Sequence, residues 1–458
     1  MLAAAAVLLA ILAAICAPHP TREPGVATRD FEAYWSAGRT ALEGGSPYAR
    51  DDLWARERRV PGVDASRDEL LPFVSPPVVL PLFEALAHLP YETARKLWLA
   101  LLVAACALGA WASFAMAGFR RRDALIAALA TLGFSPLTAT LGLGQLAGLS
   151  FGVLALGVLL IGRPYGGIAL ACSAVQPNLA VAALGGLRRT TTAAYAIAGL
   201  SVITAAAVSF ARFGGVPAYL AMVARHGSAE LGDAIQFSLP ALLAPFAQGA
   251  TLPLRALALA FGVAVTVVVA PRLSAQASVA FACAVSPFAM PFFHHQDLIV
   301  ALMPAAFALA AWQRTGAVLG ALGTAFVAID WLDLAQQPQA QPEDLLLGAA
   351  AACAIAALRP SPQAVWLILP TTVALALAPV AAAHPVPLWP FALPPHFHIS
   401  AQLDAAGTWA REQEAAGLTQ AQPLWMTLRA LPLLGCALLA VAIARDRPRS
   451  RTLRQDRV

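Results

Sequence analysis

The sequence is poor in charge. Charged residues make up 12% of its 458 residues, and the chain contains a single lysine, Lys96. Because soluble domains carry about 25% charged residues, this composition excludes a surface that mostly faces water. Apolar residues account for 59% of the chain. Apolar runs of about 20 residues recur throughout, each long enough to cross a hydrocarbon core of ~30 Å as a helix. The sequence therefore predicts an all-α, polytopic membrane protein.

The chain also lacks the motifs of several common enzyme classes. It has no P-loop and no D-x-D triplet, so a cytosolic nucleotide or nucleotide-sugar site has no support. Its six cysteines lie in apolar runs without C-x-x-C spacing, and we interpret them as small buried hydrophobic residues. We expect no cofactor and no metal site.

The positive charges are distributed as expected for a membrane protein. The formal charge is +5, and arginines cluster at the ends of apolar runs and in the tail, which is the positive-inside pattern. We therefore expect no nucleic-acid partner and place the basic tail, residues 445–458, in the cytoplasm. The first loop, 18–71, has slightly more acids than bases, and we expect it outside. Two further polar stretches are predicted to face the outer side, one from Arg212 to Gln236 and the proline-rich stretch 384–428.

About 12 membrane spans are predicted, some of them built from half-helices. No long soluble insertion, fixed-period repeat or low-complexity linker divides the chain. Residues 1–458 are therefore interpreted as one integral-membrane domain, in the plasma membrane. The first apolar run, 1–17, lacks the basic n-region of a signal peptide, although its alanine-rich end resembles a cleavage site. We favour an uncleaved first helix.

A short helix is predicted in the first outer loop over residues 28–43, because apolar residues and Asp30 share one helical face. Gly44-Gly45 ends it. Asp30 then lies at the helix start with Tyr34 one turn further on, while Glu32 points elsewhere. Asp30 could be a general base, since burial raises the pKa of a carboxylate toward a useful range. Asp30 could equally have a structural role, since an acid near a helix N-terminus stabilises the helix through its dipole. The sequence alone does not decide between the two roles.

Other polar residues interrupt the apolar runs, where they are costly and so are candidates for function. Two helix breaks are also predicted, one at Gln176-Pro177 and one where Pro287 and Pro291 precede the histidines. An N-cap role is an alternative for the aspartate of this set, and an interfacial pair is an alternative for its histidines. Adjacent histidines point in different directions on a helix, which argues against a shared metal. The candidates are Gln145, Gln176, Gln236, His294, His295 and Asp297.

These motifs follow one another in a characteristic order. In chain order they are Asp30-Phe31-Glu32-Ala33-Tyr34-Trp35 with Gly45, Pro47 and Tyr48; Pro76-Pro77 closed by Leu89-Pro90; Gly144-Gln145; Gln176-Pro177; Gln236-Phe237-Ser238-Leu239; and Ser286-Pro287 with His295-Gln296-Asp297. This order resembles glycosyltransferase family 87 of the GT-C superfamily, over residues 30–300. Gln176 stands where many relatives have lysine, and Phe73 where tyrosine is common.

The resemblance implies a GT-C-type bundle of about 12 transmembrane helices. It implies a hexosyltransferase that moves a sugar, typically mannose, from a polyprenyl-phosphate donor to an extracytoplasmic glycan or glycolipid acceptor, with inversion. It makes Asp30 the catalytic carboxylate and general base. The residues expected to bind substrate are Glu32, Tyr34, Gln145, Gln176, Gln236, His294, His295 and Asp297.

Two other functions fit parts of the sequence. A transporter or flippase uses broken helices with polar breaks, but it also predicts two related halves, and the sequence shows no such symmetry. An O-antigen polymerase or ligase would act at the same membrane face without an early acidic helix. The position of Asp30 relative to an outward-facing cavity separates these alternatives from a transferase.

Overall fold

The computed structural model describes residues 28–131, 134–213, 215–247, 249–310, 317–336, 365–399 and 402–445. Across these ranges the protein is helical and contains no strand. One isolated antiparallel bridge joins Gln236 to His294. The all-helical prediction is confirmed for this part of the chain. The predicted helix within 1–17 and nearly all of the basic tail lie outside the described residues.

The helices of the first half are short in the first polar loop and longer in the apolar runs. They are α1 Arg29–Leu42, α2 Arg50–Glu57, α3 Leu80–Ala87, α4 Tyr91–Met116, α5 Arg121–Ala130, α6 Ser135–Leu143, α7 Ala147–Leu159, α8 Gly166–Cys172, α9 Pro177–Ala180, α10 Thr192–Arg212 and α11 Gly215–Ala229.

The second half continues the same helical pattern. Its helices are α12 Leu239–Leu243, α13 Thr251–Val269, α14 Ala275–Ala289, α15 Leu302–Ala310, α16 Ala317–Ala328, α17 Asp333–Gln336, α18 Val365–Ala382, α19 Ala405–Ala415 and α20 Pro423–Arg445. Tight 3₁₀ turns join several of them, and those that bear on the site are Pro77–Val79, Ser173–Val175 and Gln296–Ala301.

Five described helices are long and apolar enough to cross a membrane. They are Tyr91–Met116, Arg189–Arg212, Thr251–Arg272, Val318–Gln336 and Pro423–Arg445. The second and third expose large apolar side chains, with Leu200 68%, Val208 70% and Leu257 68% exposed, as expected for helices whose outer faces contact lipid. Shorter apolar helices of 10–17 residues lie between them. The described part thus shows a multi-pass membrane protein and does not confirm the predicted number of spans.

Small residues let the helices of the bundle approach closely. A Cβ at Gly152 of α7 would collide with the backbone of Ala105 in α4, and a Cβ at Gly109 would collide with the Phe151 ring. Membrane helices use such small residues to gain van der Waals contact, because lipid surrounds them and supplies no hydrophobic drive. The most buried part is the stretch from α14 through the 3₁₀ turn Gln296–Ala301 to α15.

The helix predicted over 28–43 is confirmed as α1, and Gly44 ends it with φ +81°. This helix packs against α3, where a Cβ at Gly38 would collide with the Phe83 backbone. Its first turn is seated on the bundle, because the Phe31 ring stacks on Trp98 at 5.9 Å between ring centroids. The fold therefore fixes the start of α1, and with it Asp30, against the membrane helices.

Two expectations about helix breaks have different outcomes. The break at Gln176-Pro177 is confirmed, since Gln176 has φ −130° and ψ 89° between a 3₁₀ turn and α9. The expectation that Pro287 interrupts a helix is wrong, because α14 continues through Pro287 and ends at Ala289. Proline removes one backbone donor, and the helix tolerates this loss in its last turn. The chain becomes extended only at Met290, with ψ 137°.

Candidate active site

Asp30 stands at the start of α1 and is held by one glutamine. Gln145 Nε2 donates to Asp30 Oδ2 over 2.8 Å. The amide oxygen of Gln145 accepts from the Tyr34 hydroxyl and from the Leu146 backbone N–H, the latter over 2.7 Å. These contacts fix which end of the amide faces the acid. Asp30 Oδ1 accepts no hydrogen bond from the residues that the structure describes, and Asp30 is partly exposed, so this oxygen is open to a substrate.

The turn between α6 and α7 explains why Gln145 meets Asp30. Gly144 ends α6 with φ +70°, a left-handed conformation that favours glycine. A Cβ there would lie 3.0 Å from the Phe31 Cβ. The Gly144 carbonyl accepts from Trp98 Nε1 over 2.7 Å, and the Gly142 carbonyl accepts from the Thr28 N–H over 2.7 Å. The glycine-rich turn therefore receives the first turn of α1.

Asp297 is the centre of a second polar group. Its carboxylate accepts from Gln176 Nε2 over 2.6 Å, from Asn178 Nδ2 over 3.1 Å and from the His294 backbone N–H over 2.9 Å. The N-cap role considered for Asp297 is wrong, because His295 occupies that position and Asp297 lies inside the 3₁₀ turn Gln296–Ala301. Asp297 instead joins the Gln176 break to the loop that carries His294.

His294 belongs to a third group that contains an acid the sequence did not single out. His294 Nε2 lies 3.3 Å from Glu230 Oε2 and 3.0 Å from Gln236 Nε2. Gln236 Nε2 donates to the same glutamate oxygen over 2.6 Å, and Gln236 Oε1 accepts from the Phe293 N–H over 3.0 Å. The side chain of His294 is 14% exposed, whereas that of Glu230 is 4% exposed. His294 is therefore the most exposed member of this group.

Electrostatics join the three groups into one site. Burial raises the pKa of Asp30 to about 7, a shift that His294 opposes and that Glu230 and Asp297 reinforce. The same acids act on His294: burial disfavours its charged form, but Glu230, Asp297 and Asp30 outweigh burial and raise the pKa of His294 to about 9. Near neutral pH the site thus pairs a carboxylate that can take up a proton with an imidazole that favours the cation.

The neighbouring histidine points away from this site. His295 Nε2 lies 3.0 Å from Ser135 Oγ and 3.4 Å from Asp330 Oδ2, in a buried position between α6 and the end of α16. The expected divergence of the two adjacent histidines is confirmed. The structure places His294 with Asp30 and Asp297, and it places His295 with Asp330.

Glu32 also faces away from Asp30, as expected. It pairs with Arg29 at 2.9 Å, and Arg29 continues to Glu69 at 3.2 Å. The Arg29 guanidinium also lies 5.0 Å from the centroid of a Trp389 ring. This network is buried and joins the first outer loop to the stretch 384–428. Glu32 therefore lies where the first predicted outer loop contacts the stretch 384–428.

Sequence reasoning missed Glu230 and Asn178. Asn178 lies two residues after Gln176, so the helix break that marked Gln176 could also have marked it. Glu230 is preceded by α11 and followed by Gln236, in a loop that the sequence marks only as polar. No spacing links Glu230 to His294, because the contact depends on the bridge between Gln236 and His294. Among the described residues, no group of three or more histidines, cysteines or acids is arranged to hold a metal ion.

A comparison with known families indicates the class of the protein. The family model described as glycosyltransferase family 87 matches residues 73–293. This segment belongs to glycosyltransferase family 87. The family indicates that the protein is a membrane glycosyltransferase, and GT-C membership is consistent with it. No curated protein and no solved structure matches the chain.

The family 87 segment spans just under half of the chain and contains part of the site. Gln145, Gln176, Glu230 and Gln236 lie inside it. Asp30 precedes the segment, and His294 begins one residue after its end. The site therefore combines polar residues of the family 87 segment with Asp30 and His294, which belong to the flanking parts of the chain.

Proposed function

We propose that the protein transfers a hexose, with mannose as the favoured sugar, from a polyprenyl-phosphate donor to an extracytoplasmic glycan or lipid acceptor, with inversion. The observation that carries this proposal is the geometry of Asp30. One of its oxygens is held by Gln145 at 2.8 Å, and the carboxylate is partly exposed beside His294 in a family 87 glycosyltransferase.

The chemistry requires a base, and Asp30 supplies it. The acceptor hydroxyl oxygen attacks the anomeric carbon and forms the new glycosidic bond. The bond from that carbon to the phosphate oxygen breaks, and its electron pair leaves with the phosphate. The hydroxyl proton passes to Asp30 Oδ1. Because the pKa of Asp30 is about 7, the ionised form is abundant at neutral pH and still basic enough to accept the proton.

The departing phosphate needs positive charge, and His294 is the cation that acts most strongly on Asp30. A fixed cation or dipole aimed at developing charge stabilises the transition state more in a dry site than in water. His294 is partly exposed beside the acid. Gln176 and Asn178 hold the Asp297 carboxylate, which in turn fixes the His294 backbone. We assign His294 to the leaving group and these amides to the frame around it.

An apolar groove supports a lipid-linked donor. It has a volume of about 600 Å³ and lies between the segment of Val78 and Pro81 and the helix α10, which supplies Leu200 and Val208. The helix α10 belongs to a candidate membrane span, so the groove opens toward lipid. Its other wall includes the start of α3, which packs on α1. A polyprenyl chain in this groove would run beside the helix pair that positions Asp30.

The test compares Asp30→Asn with Asp51→Asn in plasma-membrane vesicles supplied with radiolabelled mannosyl polyprenyl phosphate. Asp51 also lies in the first outer loop, and its side chain is 79% exposed. Asp30→Asn is expected to lose transfer by a factor on the order of 10²–10⁴, the range that general acid–base catalysis contributes. Asp51→Asn is expected to keep it. Near-normal turnover by Asp30→Asn would remove Asp30 from this role. Movement of the labelled lipid across the membrane without transfer would favour the flippase alternative.

A further inference from the structure

We propose that Glu230 is a positioning residue for this reaction: it holds the His294 ring at the site and keeps its cationic form beside Asp30. This inference rests on the proposed function, because the role of His294 follows from it. No sequence motif links Glu230 to His294, which lies 64 positions later in the chain. The contact is set by the fold, through the bridge between Gln236 and His294.

Both oxygens of Glu230 are occupied, and each meets a histidine. Oε1 lies 3.0 Å from His226 Nε2 and accepts from Trp409 Nε1 over 2.5 Å. Oε2 lies 3.3 Å from His294 Nε2 and accepts from Gln236 Nε2 over 2.6 Å. A buried carboxylate can stay ionised when hydrogen-bond donors satisfy its oxygens. Four donors do so here, although burial favours the neutral acid, and the two histidines lower the pKa of Glu230 below its ordinary value.

The amide of Gln236 defines what His294 Nε2 can do. Since the Phe293 N–H donates to Gln236 Oε1, the NH₂ end of the amide faces Glu230 and His294. His294 Nε2 thus has an acceptor, Glu230 Oε2, at 3.3 Å and a donor, Gln236 Nε2, at 3.0 Å. A proton on this nitrogen points to Glu230, and the unprotonated nitrogen accepts from Gln236. The ring keeps a partner in both states, so its charge can change without movement.

The charges around His294 come from several elements. Asp297 Oδ2, on the 3₁₀ turn, lies 4.0 Å from His294 Nδ1. Asp30 faces it from α1, and both acids favour the cation. Behind Glu230 lies His226 on α11. Asp233 follows in the same loop, and Arg429 of α20 donates to its backbone carbonyl over 2.7 Å. Glu230 is the acid nearest to the imidazole, so its removal is expected to change the charge state of His294 most.

The test is Glu230→Gln, which keeps the shape of the side chain and removes its charge. Purified protein with ¹³C-labelled histidine is titrated in lipid nanodiscs by NMR, and the His294 resonance is assigned by its loss in His294→Asn. Glu230→Gln is expected to lower the pKa of His294 by about one unit or more, since an adjacent opposite charge contributes that much. The alkaline limb of kcat/KM is expected to move to lower pH by the same amount. Glu230→Asp, which keeps the charge, should retain most of both values.

A second variant covers the case in which Glu230→Gln does not fold. His226→Gln removes the other histidine that contacts the Glu230 carboxylate. This variant is expected to raise the pKa of His294. The inference is overturned if the variants fold and the His294 titration stays within error of the wild type. A shifted titration in a protein that transfers no sugar supports the link between Glu230 and His294 and refutes the proposed function, so the two failures are distinguishable.

Discussion

Gln145→Leu tests how strongly one amide tunes the proposed base. Gln145 donates to Asp30 Oδ2 at 2.8 Å, and a hydrogen bond to a charged group contributes about 1.5–3 kcal/mol. One pKa unit corresponds to about 1.4 kcal/mol, so its loss raises the pKa of Asp30 by about 1–2 units. The starting value is about 7. The ionised fraction at pH 7 therefore falls from about one half to between about one tenth and one hundredth.

The expected effect on activity is a loss of about 5–50-fold at pH 7, with the smaller value favoured because water can replace part of the bond at a partly exposed acid. The raised pKa means that the base form appears only at higher pH, so the acidic limb of kcat/KM moves upward by about 1–2 units. Transfer from mannosyl polyprenyl phosphate is measured between pH 5 and 10, with the exposed Gln420→Leu as control. A uniform loss with an unmoved acidic limb would refute this reasoning.

Two further outcomes follow from the same site. Wild-type kcat/KM is expected to rise through about pH 7 as Asp30 ionises and to fall near pH 9 as His294 loses its proton; a flat profile between pH 6 and 10 in a transfer assay would contradict this pairing. Gly144→Ala is expected to lower the free energy of unfolding by about 1–2 kcal/mol, because a left-handed backbone is strained for alanine, and to reduce transfer. Thermal unfolding in detergent measures the first effect, with Gly162→Ala as control, since a Cβ at Gly162 meets nothing within 4 Å.

Local signals in the sequence were sufficient to predict the position of helix α1. The spacing of its apolar face and the Gly44 stop predict a helix that the structure confirms within two residues. The polar residue at the Gly144 turn was also visible, because a glutamine among glycines at the end of an apolar run has few structural reasons to be there. The sequence could not reveal that its amide meets Asp30, since 115 positions separate the two residues.

The charge partners of His294 were beyond the reach of local patterns. Two adjacent histidines look equivalent in the sequence, but in the fold His294 meets Glu230 while His295 meets Ser135 and Asp330. The Pro287 expectation failed for a related reason. A proline breaks a helix when its missing N–H cannot be tolerated, and the last turn of α14 tolerates it. The contacts of each histidine and the place of Pro287 in the last turn of its helix decide the outcomes, and the sequence shows neither.

The two acids of the first helical turn show why Asp30, and not Glu32, is suited to accept a proton from a substrate. Glu32 is 2% exposed and lies 2.9 Å from a guanidinium nitrogen of Arg29. If Glu32 took up a proton, Arg29 would keep Glu69 as its one remaining carboxylate partner in this buried network. Asp30 has no such partner: its neighbour is the neutral amide of Gln145. Protonation of Asp30 therefore removes a charge from a site that already contains Glu230 and Asp297, whereas protonation of Glu32 would loosen the junction between the loop that carries α1 and the stretch 384–428.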